Sequence, residues 1–277
     1  MAGSLGDLVV RLNLDAADYS TQLVDAQRNA EKFANNTTQA LQQTNREIRR
    51  TSSEVNYLND AFKKIAAAVG VAEIVRLNDE FSNVSARLRI VTSDSEDFAR
   101  VQNTLFATAN NTRTAYGATA NLFYRLSTAT VDLGTSQSQL LTITDKLNKA
   151  LVISGATGST AKGALEQLSQ ALGANQLRGQ EFNTVNEQGN RIIRALADGL
   201  GKTVGELREM ANNGEITTQV FIRGFLKGAA TLDDEFKKVP VTISGALQIA
   251  ENELQRFVGV TATASGSSTA LASGIVF

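Results

Sequence analysis

The chain has no cysteine, no histidine and no tryptophan, and only one proline, Pro240, in 277 residues. Without cysteine there is no disulfide framework and no thiolate to hold a metal. Without histidine the commonest general base and the commonest metal ligand are both missing. Of the usual hydrolytic constellations only a carboxylate mechanism remains. With a formal charge of −1, no general basic field exists to hold nucleic acid or an anionic membrane. No apolar run approaches the ~20 residues a membrane span needs. The opening MAGSLGDLVVRLNLD lacks the basic and apolar regions of a signal peptide. The chain therefore reads as soluble.

What is present suits a globular helical protein. Hydrophobic residues make up 42%, enough to bury a core as one large domain or two. Ala, Leu, Gln, Thr and Asn dominate, which favours helix over sheet. The expected fold class is mainly all-α: a short N-terminal strand, a long heptad-like helix, then a compact multi-helix domain.

Leu8, Val10, Leu12 and Leu14 alternate with Val9, Arg11 and Asn13, the period of a short half-buried strand. Beyond it the period becomes helical. Leu23, Ala26, Ala30, Phe33 and Thr37 step by three and four. After an extra four-residue step, Leu41, Thr44, Ile48, Thr51, Val55, Leu58, Phe62, Ile65 and Val69 continue the stripe. Two consecutive steps of four form a stutter that locally unwinds a coiled coil. Unbroken, this helix would reach roughly 75 Å at 1.5 Å per residue. Such a stripe needs a partner. Either it packs within the chain, or Leu23, Phe33, Leu41, Ile48, Val55, Leu58, Phe62 and Ile65 form the seam of a homo-oligomer.

After Gly70 the spacing predicts a helix over 73–90 with Ile74, Leu77, Phe81, Val84 and Leu88 on one face. Ser93 or Asp94 caps a helix over 95–110 that turns Phe98, Val101, Leu105 and Phe106 inward. Further helices are expected over 116–131 (Leu122, Phe123, Leu126), 136–153 (Leu140, Ile143, Leu147, Leu151), 160–172, 181–188 and 190–200. Thr203 with Glu206 is a capping box, Asn213-Gly214 a left-handed helix stop, and Thr217 or Thr218 the next cap. The last helix, 244–258, is expected to bury Leu247, Leu254 and Phe257. The expected divisions are 1–70, 78–257, and a mobile Ala/Gly/Ser/Thr-rich tail at 258–277, as in a truncated or partly ordered longer chain.

The most informative stretch is 153–214, ISGATGSTAKGALEQLSQALGANQLRGQEFNTVNEQGNRIIRALADGLGKTVGELREMANNG. Its order of Ser154-Gly155-Ala156, Ala164 through Leu172, Leu177 through Phe182, Glu187-Gln188, Leu196 through Gly201, Leu207 through Ala211 and Gly214 through Thr217 resembles the N-terminal conserved domain of phage tail tape measure proteins. The resemblance runs more weakly over about 78–257. Gln180 stands where that family usually has an acidic residue, and Asn190 where proline is common, which touches only local turn geometry. The resemblance implies a structural scaffold with no cofactor and no catalytic or metal residues. It would determine tail length and template tail tube polymerisation. Implied partners are the tail tube protein, tail assembly chaperones and tail tip or baseplate proteins. The implied place is the tail lumen of the virion, and the host cytoplasm during assembly.

Several motifs compete with that reading. Gly199-Leu200-Gly201-Lys202-Thr203 ends like a phosphate loop, but Leu196 stands where the pattern needs glycine, and a helix precedes it where a strand is required. Residues 195–227 resemble a helix-turn-helix offering Arg223 and Lys227; the alternative function is thus a helical DNA-binding regulator, opposed by Glu206, Glu209 and Glu215. The acidic runs at 93–96 and 233–235 lack calcium-loop spacing and read as helix-start residues. The segment Leu177, Arg178, Gly179, Gln180, Glu181 and Phe182 is the candidate protein-docking loop. Its apolar ends are expected to tuck inward, with Arg178 pairing with Glu181 across the turn.

Overall fold

A computed structural model describes residues 71–156 and 158–265. Among them lie eleven α-helices and one 3-10 turn. The expected strand at 8–14, the long helix, and the seam residues from Leu23 to Ile65 lie outside the described residues.

Helix α1 (Val71–Ile90) forms where the apolar residues recur at three and four, and Ile74, Leu77, Phe81, Val84 and Leu88 are all buried. Glu73 in its first turn and Arg87 and Arg89 in its last complement the helix dipole. Asp94 then caps α2 (Ser95–Thr112), accepting from the Glu96 and Asp97 amides. Helix α3 (Tyr116–Ala129) follows, then the 3-10 turn Val131–Leu133. Ser136 and Gln139 make a capping box that opens α4 (Gln137–Ile153). Helices α5 (Gly158–Gly173), α6 (Gly179–Gln188) and α7 (Asn190–Leu200) complete the middle of the domain. The Thr203–Glu206 capping box opens α8 (Val204–Asn212), and Thr217 caps α9 (Thr218–Gly228). A short α10 (Leu232–Phe236) and the long α11 (Ile243–Ser265) end the described chain.

One contiguous apolar core runs from Phe81 in α1 to Leu232 in α10. Helix α3 sits at its centre against α1, α2, α4 and α5, while α7 packs most extensively on α9. That second pairing depends on small residues. A Cβ on Gly228 would lie 1.8 Å from the Ala195 carbonyl oxygen, so the two backbones touch where side chains would otherwise stand.

Three expectations are corrected. The last helix continues through Ser265 instead of ending near 258. Its inward face is also rotated by about one residue from the expected one. Leu247 is 52% exposed, whereas Gln248, Asn252, Glu253 and Gln255 are buried beside Ala246, Ala250 and Phe257. Helix α11 packs most extensively on α1, with Gly259 against the Phe81 ring and Glu251 on Arg76, and also meets polar groups of α2 and the α2–α3 connection, which a search for apolar periodicity does not detect. Phe98, expected inward, is only partly buried and lies under the Arg89 guanidinium at 4.2 Å.

Candidate docking loop and its surroundings

Leu177 and Phe182 are both fully buried, so the candidate loop is anchored at its two ends. The anchoring comes from a second connection that pairs with it. Leu177 donates its amide to the Ile216 carbonyl at 2.9 Å, and Gln176 and Thr217 form an isolated antiparallel bridge. The Thr218 hydroxyl donates to the Leu172 carbonyl at 2.7 Å, and the Asn175 side-chain oxygen accepts from the Thr218 amide. The α5–α6 and α8–α9 connections are thus zipped together. Asn175 takes the left-handed conformation (φ 60°) to turn the chain at this point. Gly179 lies so close to α8 that a Cβ there would stand 2.1 Å from the Asn212 side-chain oxygen.

What the loop offers to solvent is small and polar. Arg178 and Gln180 are exposed, and Gly179 and Glu181 partly so. The expected pair between Arg178 and Glu181 does not form. Arg178 donates to the Gln176 side-chain oxygen at 2.8 Å, while one carboxylate oxygen of Glu181 is buried without a partner. The reason is direction: Glu181 lies in the first turn of α6, and Arg178 turns back along its own strand-like connection. Asn190 is the first residue of α7, a position that tolerates proline because its amide needs no helical acceptor.

The competing motifs resolve into structural roles. Gly199 lies within α7, Gly201 (φ 65°) stops that helix, Lys202 pairs with Glu206 at 3.3 Å, and Thr203 caps α8. In the helix-turn-helix-like segment, α9 buries Phe221, Ile222, Gly224 and Phe225, leaving Arg223 and Lys227 exposed beside exposed Glu206, Glu209 and Glu215. Asp94 caps α2, and Asp97 accepts from Gln137, the Ser93 amide and Arg100, which hold its carboxyl at about 2.

The acidic run at 233–235 proves to be a tether. Asp233 pairs with Lys146 at 2.6 Å and Lys149 at 2.8 Å, tying α10 to α4. Lys146 and then Lys149 hold the Asp233 carboxyl down at about 2. Glu235 pairs with Arg191 of α7 at 2.7 Å and is likewise held at about 2. Sequence reasoning placed these carboxylates at a helix start but had no means of finding partners 44 to 87 positions away.

It also missed a buried polar cluster. The Asn148 amide donates to the Thr114 hydroxyl at 2.9 Å and the Thr119 hydroxyl at 2.8 Å, with Thr112 completing the group. The available signal was a polar residue inside an apolar stripe, Asn148 between Leu147 and Leu151. Such a cluster, fully enclosed, fixes one arrangement of α2, α3 and α4.

Side-chain caps on α2, α4, α8 and α9, a contiguous apolar core and buried polar groups bonded across helices define a helical structural domain. None of its helices among the described residues is long and apolar enough to cross a membrane. Residues 72–263 match a family model described as Tape measure protein, somewhat wider than the 78–257 expected from resemblance. The chain belongs to the tape measure protein family, and is accordingly a structural component of the phage tail. No curated protein and no solved structure matches it significantly.

Proposed function

We propose that this chain takes part in setting tail length and templating tail tube polymerisation, and that residues 71–265 are its assembly and folding module, not the ruler. The observation that carries this reading is the folding back of the helices inside the region matched to the family. A ruler needs a segment whose extension grows with residue number, about 1.5 Å for each helical residue. Here eleven α-helices return on one another around a single core, so span and residue count are uncoupled.

Its partners on this reading are the tail tube protein, tail assembly chaperones and tail tip or baseplate proteins. The outward edge of the candidate loop, Arg178 and Gln180 with Gly179 and Glu181, is a polar docking edge for one of them, held in place by buried Leu177 and Phe182. The stripe from Leu23 to Ile65 supplies the oligomer seam. The site of action is the tail lumen, reached from the host cytoplasm during assembly. No observation favours the DNA-binding alternative.

Deletion of residues 160–172 tests the module reading. Those residues bury Ala161, Ala164, Leu165, Leu168, Ala171 and Leu172, so their loss leaves α3 and α6 with open apolar faces and tails are expected to fail altogether. Electron micrographs showing intact tails shortened by about 20 Å, the rise of the missing helix, would instead make the segment part of the ruler.

A further inference from the structure

We propose that α1 and α11 form a load-bearing clamp, through which lengthwise tension on the chain passes in shear and bypasses α6 to α9. Helix direction carries this, independently of the module reading above.

The chain enters the described domain at Val71, the first residue of α1, and leaves it at Ser265, the last of α11. Contacts between the two helices advance the same way along both. Arg76 pairs with Glu251 at 2.8 Å. Further on, Gly259 sets its backbone against the Phe81 ring, where a Cβ would come within 2.1 Å. Val260 then lines one groove with Ser82, Ser85 and Arg89. The two helices are therefore parallel. Helix α2 runs the other way, since its Asn103 meets Arg256 and its later Asn110 meets the earlier Asn252. Entry and exit thus lie at opposite ends of the α1–α11 pair, about 30 Å apart along it at 1.5 Å per residue.

That placement sets how the fold takes a pull. Tension arriving before Val71 draws α1 one way, and tension leaving after Ser265 draws α11 the other way. Every contact between the two helices is then loaded at once. The contact is a large one, for α11 packs more extensively on α1 than on any other helix. Ile74, Leu77 and Phe81 of α1 are buried, as are Ala250, Phe257 and Val258 of α11. The missing side chain at Gly259 makes a notch for the Phe81 ring, and sliding α11 along α1 would drive the ring against bulkier positions. Arg76, which also holds Glu73 and Glu80, ties the pair near the entry. Helix α2 braces both, with Gln102 bonded to Ser85 of α1 at 3.0 Å and Asn103 to Arg256 of α11 at 3.1 Å. Helices α6 to α9 make no extensive contact with either clamp helix and lie outside the line of force.

Single-molecule pulling on the whole 277-residue chain tests this, and the lack of native cysteine lets introduced ones serve as unique handles. One handle, Phe277→Cys, stays at the C-terminal end. The other is either Ala72→Cys, exposed in the first turn of α1, or Ser93→Cys, exposed just past its far end. From position 72 the clamp is sheared. From position 93 both handles pull at one end of the pair, and α11 peels away contact by contact. At equal tension the folded state should last about 10-fold longer or more from position 72, since rupture under force follows the unfolding barrier. Gly259→Val, which crowds the Phe81 ring, should shorten the lifetime from position 72 by about 10-fold or more. Gly199→Ala weakens the α7–α9 crossing and should leave the time to first rupture from position 72 unchanged. A lifetime from position 72 no longer than that from position 93 overturns the proposal, and this comparison stands even if the glycine variants fold poorly. So does a Gly259→Val chain that holds as long as its parent, or Gly199→Ala shortening first rupture as much as Gly259→Val.

Discussion

Gly199 of α7 and Gly224 of α9 cross so closely that a Cβ on Gly199 would lie 1.7 Å from the Gly224 carbonyl oxygen. With Ala195 and Gly228 they make a strip of small residues along which the two helices meet backbone to backbone. The same Gly199 belongs to the segment that imitates a phosphate loop, so its reason for being glycine is the crossing, not a nucleotide.

Gly199→Ala is therefore expected to destabilise the domain by about 1–3 kcal/mol or more, since backbone cannot yield as a flexible side chain can. Gly163 in α5 is the control: nothing lies within 4 Å of a Cβ built there. Gly163→Ala should stabilise by about 0.5–1 kcal/mol through helix propensity alone. Urea denaturation of both variants checks the opposite signs.

Phe182→Ala is expected to cost about 3–5 kcal/mol, the range for a fully buried aromatic ring. Arg178→Ala, four positions earlier and exposed, should cost about 0–1 kcal/mol. Thermal melts of the two proteins compare them directly. An arginine variant as damaged as the phenylalanine variant would mean that the loop is held from its surface.

Acid should loosen α10 before neutral pH does. Asp233 and Glu235 titrate near about 2 in the folded chain, against ordinary values of 3.8 and 4.5. A depressed carboxyl contributes stability above its ordinary value and loses it as pH falls through the folded one, here from about 4.5 down to about 2. Both side chains are a third to a half exposed, 33% and 47%, so screening limits each pair to roughly 1 kcal/mol. Asp233→Asn should flatten the fall in denaturation midpoint between pH 6 and pH 3, and an unchanged slope would remove the tether from the account.

Thr203→Ala removes the side chain that accepts from the Glu206 amide. The expected loss is about 1 kcal/mol. Because α8 carries the turn that zips to the candidate loop, exchange at the Leu177 amide should rise in the same variant. Amide exchange by NMR reads this at a single residue.

Where the controlling interaction is local, the sequence alone was sufficient. Asp94, the Thr203 box, the Gly214 stop and the Thr217 cap each bond within a few residues, and α1 and α4 bury the stripes their spacing predicts. The ordered motifs at 153–214 likewise pointed to the family. Tertiary structure alone decided the rest. Asp233 takes its meaning from Lys146 and Lys149, Arg178 turns to Gln176 and not to Glu181, and α11 rotates to bring Asn252 to Asn110 and Thr114. Hydrogen bonds and ion pairs depend on distance and direction between groups far apart in the chain, and apolar periodicity records neither.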